Sequence, residues 1–133
     1  MADIKIPKRS KQEREKLISQ VIEMMAIPGK SGEELEIAEY IRKQLLAAGA
    51  DPKSIRTDTA HRRTRIKGNV GNLVFKLPGT YKAPRRMLSA HLDTVPICEG
   101  CRPQRKGMKV TSIDNHTGLG ADNRAGCGVV MST

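Results

Sequence analysis

The amino-acid sequence predicts an α/β layered domain. Its 133 residues suffice for one domain with a modest core. Two amphipathic helical stretches follow one another in the first part of the chain, and short apolar runs of strand length come after them. Helices that precede a set of strands, one of them nearly continuous in apolar character, indicate this layered α/β arrangement.

The first helix is predicted from a start signal and from apolar periodicity. Ser10, with Glu13 three positions later, forms a capping-box pattern. Apolar residues then recur at helical spacing, at Leu17, Val21, Met24 and Met25. The helix is expected to run to about Ile27, because the PGKSG segment that follows breaks the pattern.

The second helix carries a similar signature. Ser31 and Glu34 form a second capping-box pattern ahead of GEELEIAEYIRKQLLAAGA. One apolar stripe is predicted to face the core, at Leu35, Ala38, Ile41 and Leu45. Gly49 is the expected stop.

Strands are predicted in the part of the chain that follows. Residues 72–77 and 86–95 are apolar runs bounded by proline and glycine, and residues 107–113 form a weaker one. Residues 56–71 are highly charged and are expected to contain a strand or hairpin. The glycine-rich stretch at residues 117–128 is expected to lead into a buried helix.

Composition narrows the class of protein. The chain has 24 basic and 14 acidic residues, a net charge of +10, which invites a nucleic-acid interpretation. The basic residues are spread over four groups and aromatic residues are scarce, so a solvated surface is favoured. Three cysteines, no membrane-length apolar stretch and no signal-like start predict a soluble, cytoplasmic protein with no membrane partner.

The segment SAHLDTVP, residues 89–96, places His91 and Asp93 two positions apart. In a strand such residues point to the same face. Imidazole is a common zinc ligand, and a neighbouring carboxylate can fix its orientation and tautomer. For the isolated pattern, a hydrogen-bonded polar pair at a strand end is the better interpretation.

Asp122 follows a glycine-rich turn and precedes a predicted helix, in TGLGADNRAGCG. A carboxylate at this position can bridge two cations. It can equally cap the helix. Local chemistry leaves both interpretations open.

Three motifs together resemble a known family. The dinuclear zinc exopeptidases and deacylases have motifs similar to three segments of this chain: IPGKSGEE at residues 27–34, SAHLDTVP, and the later GLGADNRAG. That family includes tripeptide aminopeptidases, carboxypeptidase G-type enzymes, aminoacylases and acetylornithine deacetylase. The short motifs HLDTVP and LGAD are most similar to those of the peptidase T-like tripeptidases.

The resemblance implies roles for three residues. His91 matches a histidine that binds one of two zinc ions, and Asp122 matches the aspartate that bridges both ions. Asp93 matches the catalytic aspartate that supports the histidine, and the peptide bond after Asp122 is expected to be cis. The implied reaction is hydrolysis of an amide bond by a water activated between two zinc ions, with a glutamate as general base.

The resemblance also implies that the chain is truncated. Residues 1–133 would be the N-terminal portion of a metallopeptidase catalytic domain, in which the helices pack on a mostly parallel sheet. The remaining ligands, the general-base glutamate and the lid and dimerisation domain would lie in an absent part, since Glu33 and Glu34 are explained by capping. The chain alone is therefore expected to be inactive. Expected partners are a short peptide or N-acyl amino acid substrate, and a second copy or a missing C-terminal portion.

Two other functions stay open. Four potential ligands could form a structural zinc module, at Cys98, Cys101, His116 and Cys127. Their spacing fits no common zinc finger, and free apolar thiols are the simpler interpretation. A basic nucleic-acid-associated protein would use the arginines of the densest basic group, Arg62, Arg63 and Arg65.

Overall fold

The structure is a computed structural model that describes residues 8–80 and 82–133. Helices within these residues are α1 (Lys11–Ala26), α2 (Leu35–Ala47) and α3 (Ala121–Ser132). Strands are β1 (Ile55–Thr57), β2 (Leu73–Phe75), β3 (Pro103–Lys106) and β4 (Lys109–Ser112). Short 3-10 turns cover Pro52–Ser54, Ala60–Arg63 and Pro96–Cys98. The described residues therefore contain both helices and strands, as predicted.

The predicted start of α1 is confirmed in detail. The Glu13 backbone N–H donates to Ser10 Oγ at 3.2 Å, and the Ser10 N–H donates to Glu13 Oε2 at 2.7 Å. Both halves of the capping box therefore satisfy N–H groups that the first turn leaves free. The helix ends at Ala26, with Met24 and Met25 buried.

The predicted cap of α2 is wrong. The residue before the helix is Glu34, which makes no side-chain cap, and the Leu35 N–H instead donates to Asn69 Oδ1 at 3.0 Å. The Ser31 hydroxyl donates to Asp93. Ser31 lies four residues before the first residue of α2, so its hydroxyl is not at the cap position and is free to donate to the Asp93 carboxylate.

The other features predicted for α2 are largely confirmed. Ala38 and Ile41 are buried as expected, but Leu35 is 43% exposed and Ile37 is fully buried in its place. The stripe is therefore rotated away from the predicted one. Gly49 follows the helix with φ +94°, the left-handed conformation that glycine adopts without a Cβ penalty.

The strands form two separate antiparallel pairs. In one, β1 pairs with β2, with Ile55 opposite Phe75. In the other, β3 and β4 form a hairpin with Lys106 opposite Lys109. Strands predicted at residues 72–77 and 107–113, and one in the charged region near residue 56, are confirmed.

The strand predicted at residues 86–95 is wrong for the described part of the chain. This segment is extended, but its pairing is a single parallel bridge between Thr94 and Lys30. A strand needs a neighbour along its hydrogen-bonding edge, and no described segment runs beside residues 86–93. The mostly parallel central sheet is therefore not confirmed, since both described sheets are antiparallel.

The core lies where the helices meet the extended segment. Its buried centre consists of Met24, Ile37, Ile41 and Cys127. Ala90 and Leu92, which flank His91, pack against it from the extended segment. The alternate residues of this segment therefore anchor it, and His91 is left facing outward. No helix in residues 8–80 and 82–133 is both long and apolar enough to cross a membrane.

Candidate active site

His91 lies between two carboxylates. Its Nδ1 atom is 3.0 Å from Asp93 Oδ1 and 3.1 Å from the Asp93 carbonyl oxygen, and its Nε2 atom is 3.0 Å from Asp122 Oδ1. The structure thus brings together the three residues that the sequence analysis singled out, although Asp122 lies 31 positions after His91. The imidazole side chain is 51% exposed, so the cluster is open to solvent.

The turn before α3 directs Asp122 toward His91. Gly120 has a left-handed backbone, with φ +71°. Asp122 and Asn123 have non-helical backbone angles, and the peptide bond between them is cis, as the resemblance implies. The regular part of the helix therefore begins after Asn123.

Asn123, rather than Asp122, supplies the helix cap. The Gly126 backbone N–H donates to Asn123 Oδ1 at 3.1 Å. The interpretation of Asp122 as the cap is therefore wrong. The Asp122 side chain is 93% exposed apart from its contact with His91, so its carboxylate is available for other partners.

Asp93 accepts hydrogen bonds on both of its carboxylate oxygens. Oδ1 faces His91, and Oδ2 accepts from the Ser31 hydroxyl. The Ser31 hydrogen bond outweighs the effect of burial and holds the pKa of the Asp93 carboxyl below its ordinary value. Asp93 is therefore ionised at neutral pH and can fix the histidine ring.

Burial lowers the pKa of His91, but hydrogen bonds to Asp122 and Asp93 outweigh it, and the pKa lies above its ordinary value. When the ring carries one proton, two acceptors at Nδ1 compete with one at Nε2. Asp122 is also the more exposed acceptor and is therefore partly satisfied by water. The contacts at Nδ1 and at Nε2 are both within hydrogen-bonding distance, so which nitrogen donates depends on the tautomer; a proton on Nδ1 would be donated to Asp93 and would leave Nε2 as the free nitrogen.

Two residues behind the cluster are fully or nearly fully buried. The Arg124 side chain donates from Nη2 to the Ile27 carbonyl at 3.3 Å, while its Nε and Nη1 atoms have no hydrogen-bond partner among the described residues. The Cys127 thiol donates to the His91 carbonyl at 3.4 Å, and burial raises its pKa. Cys127 is therefore a protonated core thiol that supports the backbone of His91.

The donor set fits part of a metal site. An imidazole nitrogen and a carboxylate oxygen are typical zinc ligands, and two ligands of one tetrahedral zinc ion lie about 3.4 Å apart. The separation of 3.0 Å between His91 Nε2 and Asp122 Oδ1 is close to that value. Across residues 8–80 and 82–133, however, no group of three or more histidine, cysteine, aspartate or glutamate side chains could hold a metal ion.

The absence of such a group within the described residues also concerns the structural zinc module proposed for the cysteines. The Cys101 thiol faces the Leu119 carbonyl at 3.6 Å, and Cys127 lies in the core. All three cysteines are free. In the described structure no metal-holding group is formed by the four candidate ligands Cys98, Cys101, His116 and Cys127. A structural zinc module therefore has no support here.

Glu33 and Glu34 follow Ser31 in the sequence and have local partners. Glu33 pairs with Lys30 at 3.2 Å, and Lys30 also contacts Glu99 at 3.3 Å. Glu34 Oε1 accepts the Gly32 backbone N–H at 2.7 Å. Both glutamates precede α2 and Glu34 makes no side-chain cap, so the capping explanation is wrong and these local contacts take its place.

Sequence reasoning missed two residues of this site. The local pattern of Ser31 predicts a helix cap, although its place in IPGKSGEE, one of the resembling motifs, is a signal of another role. The local sequence carries no signal for Arg124, because a basic residue in a helix normally faces solvent. Its burial depends on tertiary packing that the local sequence does not reveal.

Comparison with known proteins points to peptidases. No protein-family model matches the sequence. The uncharacterized protein YqjE of Bacillus subtilis is 30% identical over 112 residues, which cover 84% of this chain and 28% of that protein. A tripeptidase structure from Staphylococcus aureus superimposes with a TM-score of 0.74 at 26% identity, covering 88% of this chain and 30% of the tripeptidase.

A second solved structure gives the same picture. Aminopeptidase PepT from Bacillus cereus matches with a TM-score of 0.72 at 25% identity, over 89% of this chain and 30% of its own. The chain therefore spans less than a third of the length of each of these relatives. Its fold is similar to part of a peptidase of the tripeptidase and PepT kind, and the likeness does not single out a particular member.

Proposed function

We propose that this chain carries part of the active site of a zinc-dependent peptidase of the two-metal type. His91 and Asp122 are the metal ligands, and Asp93 is the supporting catalytic residue. The observation that carries the proposal is the placement of His91 between Asp93 and Asp122, in a fold similar to two peptidases. The substrate class is a short peptide or an N-acyl amino acid.

Each of the three side chains contributes by position and charge. Asp93 accepts the Nδ1 proton of His91 and so keeps the Nε2 lone pair free for a ligand bond. Asp122 presents two exposed carboxylate oxygens, which suits a ligand shared between two cations. When bound, a pair of zinc ions supplies an activated water and polarises the scissile carbonyl.

We also propose that these residues alone do not hydrolyse peptides. The described part of the chain offers two metal donors at the cluster and lacks a third, which is too few for a stable zinc site. The further ligands, the general-base glutamate and a lid and dimerisation domain belong to a C-terminal portion in this proposal. Residues 1–133 are then the N-terminal portion of the catalytic domain.

Residues 86–93 are where that portion would dock. The segment is extended and pairs with no strand among residues 8–80 and 82–133, and Met87 and Leu88 are 87% and 61% exposed. A mostly parallel central sheet would form if strands of the complementing portion, or of a second copy, paired along it. Three free thiols support a reducing, cytoplasmic setting.

Cobalt binding tests the proposal, because Co²⁺ replaces zinc in such sites and absorbs visible light. We expect Co²⁺ titration of the metal-free chain to give weak binding that is lost in His91→Ala and Asp122→Ala. His116→Ala is the matched control, since His116 is exposed and lies outside the cluster. Binding that survives both site substitutions, or that disappears only in Cys98→Ser, would reject the assignment.

The rival function is nucleic-acid binding. It is supported by Arg62, Arg63 and Arg65, which are all exposed and form no salt bridge within the described structure. It predicts oligonucleotide affinity that falls steeply with salt and weakens when these arginines become glutamine. We propose instead that they form a solvated surface, which predicts no measurable binding even at low salt.

A further inference from the structure

The Ser31 hydroxyl links the α1–α2 loop to the carboxylate that lies beside His91. It donates to Asp93 Oδ2, while Asp93 Oδ1 faces His91 Nδ1. The two residues are 62 positions apart in the sequence. A carboxylate that is hydrogen-bonded through one oxygen can still rotate about its Cβ–Cγ bond. The Ser31 hydrogen bond to Oδ2 restricts this rotation and so fixes the direction in which Oδ1 points.

The loop that carries Ser31 is attached to the extended segment before it reaches the serine. The Thr94 backbone N–H donates to the Gly29 carbonyl at 2.8 Å, and Lys30 forms a parallel bridge with Thr94. Thr94 directly follows Asp93. The loop and the carboxylate are therefore fixed to each other through the backbone on one side of Ser31.

On the other side of Ser31, the loop is fixed by a close backbone approach. The Asn69 N–H donates to the Gly32 carbonyl at 2.9 Å. A Cβ added to Gly68 would lie 2.9 Å from the Gly32 Cα, so this contact requires glycine. Gly32 itself has φ +92°, which a residue with a side chain rarely adopts. Ser31 is thus held between two anchored neighbours, although its own side chain is exposed.

We propose that Ser31 is a positioning residue for this site. Its hydroxyl orients Asp93 so that Asp93 holds the His91 proton on Nδ1 and presents Nε2 toward Asp122. The idea deepens the proposed peptidase function and rests on it for its catalytic meaning. Among the described residues Ser31 makes no hydrogen bond to His91 or Asp122, so in this proposal it acts through Asp93.

The first test reads the histidine tautomer and needs no metal. In long-range ¹H–¹⁵N spectra of the metal-free chain at alkaline pH, His91 is expected in the Nδ1–H form. Ser31→Ala should shift it toward a mixture of tautomers, and Ser31→Thr, which keeps the hydroxyl, should restore the wild-type spectrum. Ser54→Ala is the matched control, since that hydroxyl donates to the Asp51 carbonyl away from the site. A wild-type tautomer in Ser31→Ala would overturn the proposal.

The second test uses Co²⁺ affinity. Residues that orient a metal ligand typically change metal affinity by about 10-fold to 100-fold, and we expect Ser31→Ala to lie near the lower value. In an Asp93→Ala background the same serine substitution should have no further effect, because the side chain through which Ser31 acts is gone. An equal loss in both backgrounds would overturn the positioning role.

The two tests separate this inference from the proposed function. If the wild-type chain shows no His91-dependent Co²⁺ binding, the metal site is refuted, while the tautomer spectra still decide whether Ser31 orients Asp93. If Co²⁺ binding depends on His91 but is unchanged in Ser31→Ala, the metal site stands and the role of Ser31 is refuted.

Discussion

Gly29→Ala is predicted to destabilise the chain through the buried Arg124. A Cβ at residue 29 would lie 2.7 Å from Arg124 Nη2 and 3.2 Å from Ile37 Cγ2. Arg124 Nη2 donates a hydrogen bond to the Ile27 carbonyl. Within the described residues the other two guanidinium nitrogens, Nε and Nη1, have no hydrogen-bond partner. The new methyl group therefore pushes the side chain away from its partner, in a region that is already closely packed.

The magnitude follows from three effects. Losing a hydrogen bond from a charged donor costs about 1.5–3 kcal/mol. Overpacking of a filled core costs about 1–3 kcal/mol. Replacing glycine by alanine restricts the unfolded chain and returns about 0.4–1 kcal/mol, since Gly29 has no positive φ. The free energy of unfolding should fall by about 2–5 kcal/mol.

Urea denaturation followed by circular dichroism measures this change. For a chain of this size, the denaturation midpoint of Gly29→Ala should fall by on the order of 1–2 M. Arg124→Ala removes the side chain that the new methyl group would push away. The loss of unfolding free energy in the Gly29→Ala/Arg124→Ala double variant should therefore be smaller than the sum of the two single losses, by at least about 1 kcal/mol. A single variant within about 0.5 kcal/mol of wild type, or strictly additive losses, would refute the account.

Three further predictions concern local hydrogen bonds. Ser10→Ala should lower the free energy of unfolding by about 1 kcal/mol, measured by urea denaturation, because it removes the cap of α1. Asn123→Ala should cost a similar amount through the cap of α3, and it should also weaken Co²⁺ binding because Asp122 is next to the disturbed turn. Asp58 accepts hydrogen bonds from the backbone of Ala60 and the side chain of Asn72, which hold its pKa below the ordinary value. Its stabilising effect is therefore present above the unfolded-state pKa and lost as pH falls through the folded-state pKa, so Asp58→Asn should lower the thermal midpoint at pH 7 and leave it unchanged in strong acid.

Features governed by neighbouring residues could be predicted from the sequence. The capping box of Ser10 and Glu13 joins groups within one turn, so the local pattern contains all the information. The end of α2 at Gly49 is of the same kind, because it depends on the backbone freedom of a single residue. The side-by-side placement of His91 and Asp93 also follows from local geometry, since alternate residues of an extended chain share a face.

Features that depend on distant partners could not be predicted from residues alone. Ser31 matches a capping pattern, and only the presence of Asp93 across the fold explains why its hydroxyl turns away from the helix. Residues 86–95 have the composition of a buried strand, but a strand forms only where a neighbour supplies hydrogen bonds. Asp122 reaches His91 through a turn whose direction is set by tertiary packing, and the resemblance supplied that expectation where the local pattern did not.

Adjacent residues at the start of α3 have different tasks, since Asn123 caps the helix and Asp122 contacts His91. Asn123 satisfies the backbone of the helix, whereas Asp122 makes no hydrogen bond to it within the described structure. A mutational scan of the two positions should therefore give unlike profiles. Position 123 should tolerate the few side chains that cap well, and fold stability will report on it. Position 122 should accept many side chains without unfolding, so selection at that position can act on chemistry alone.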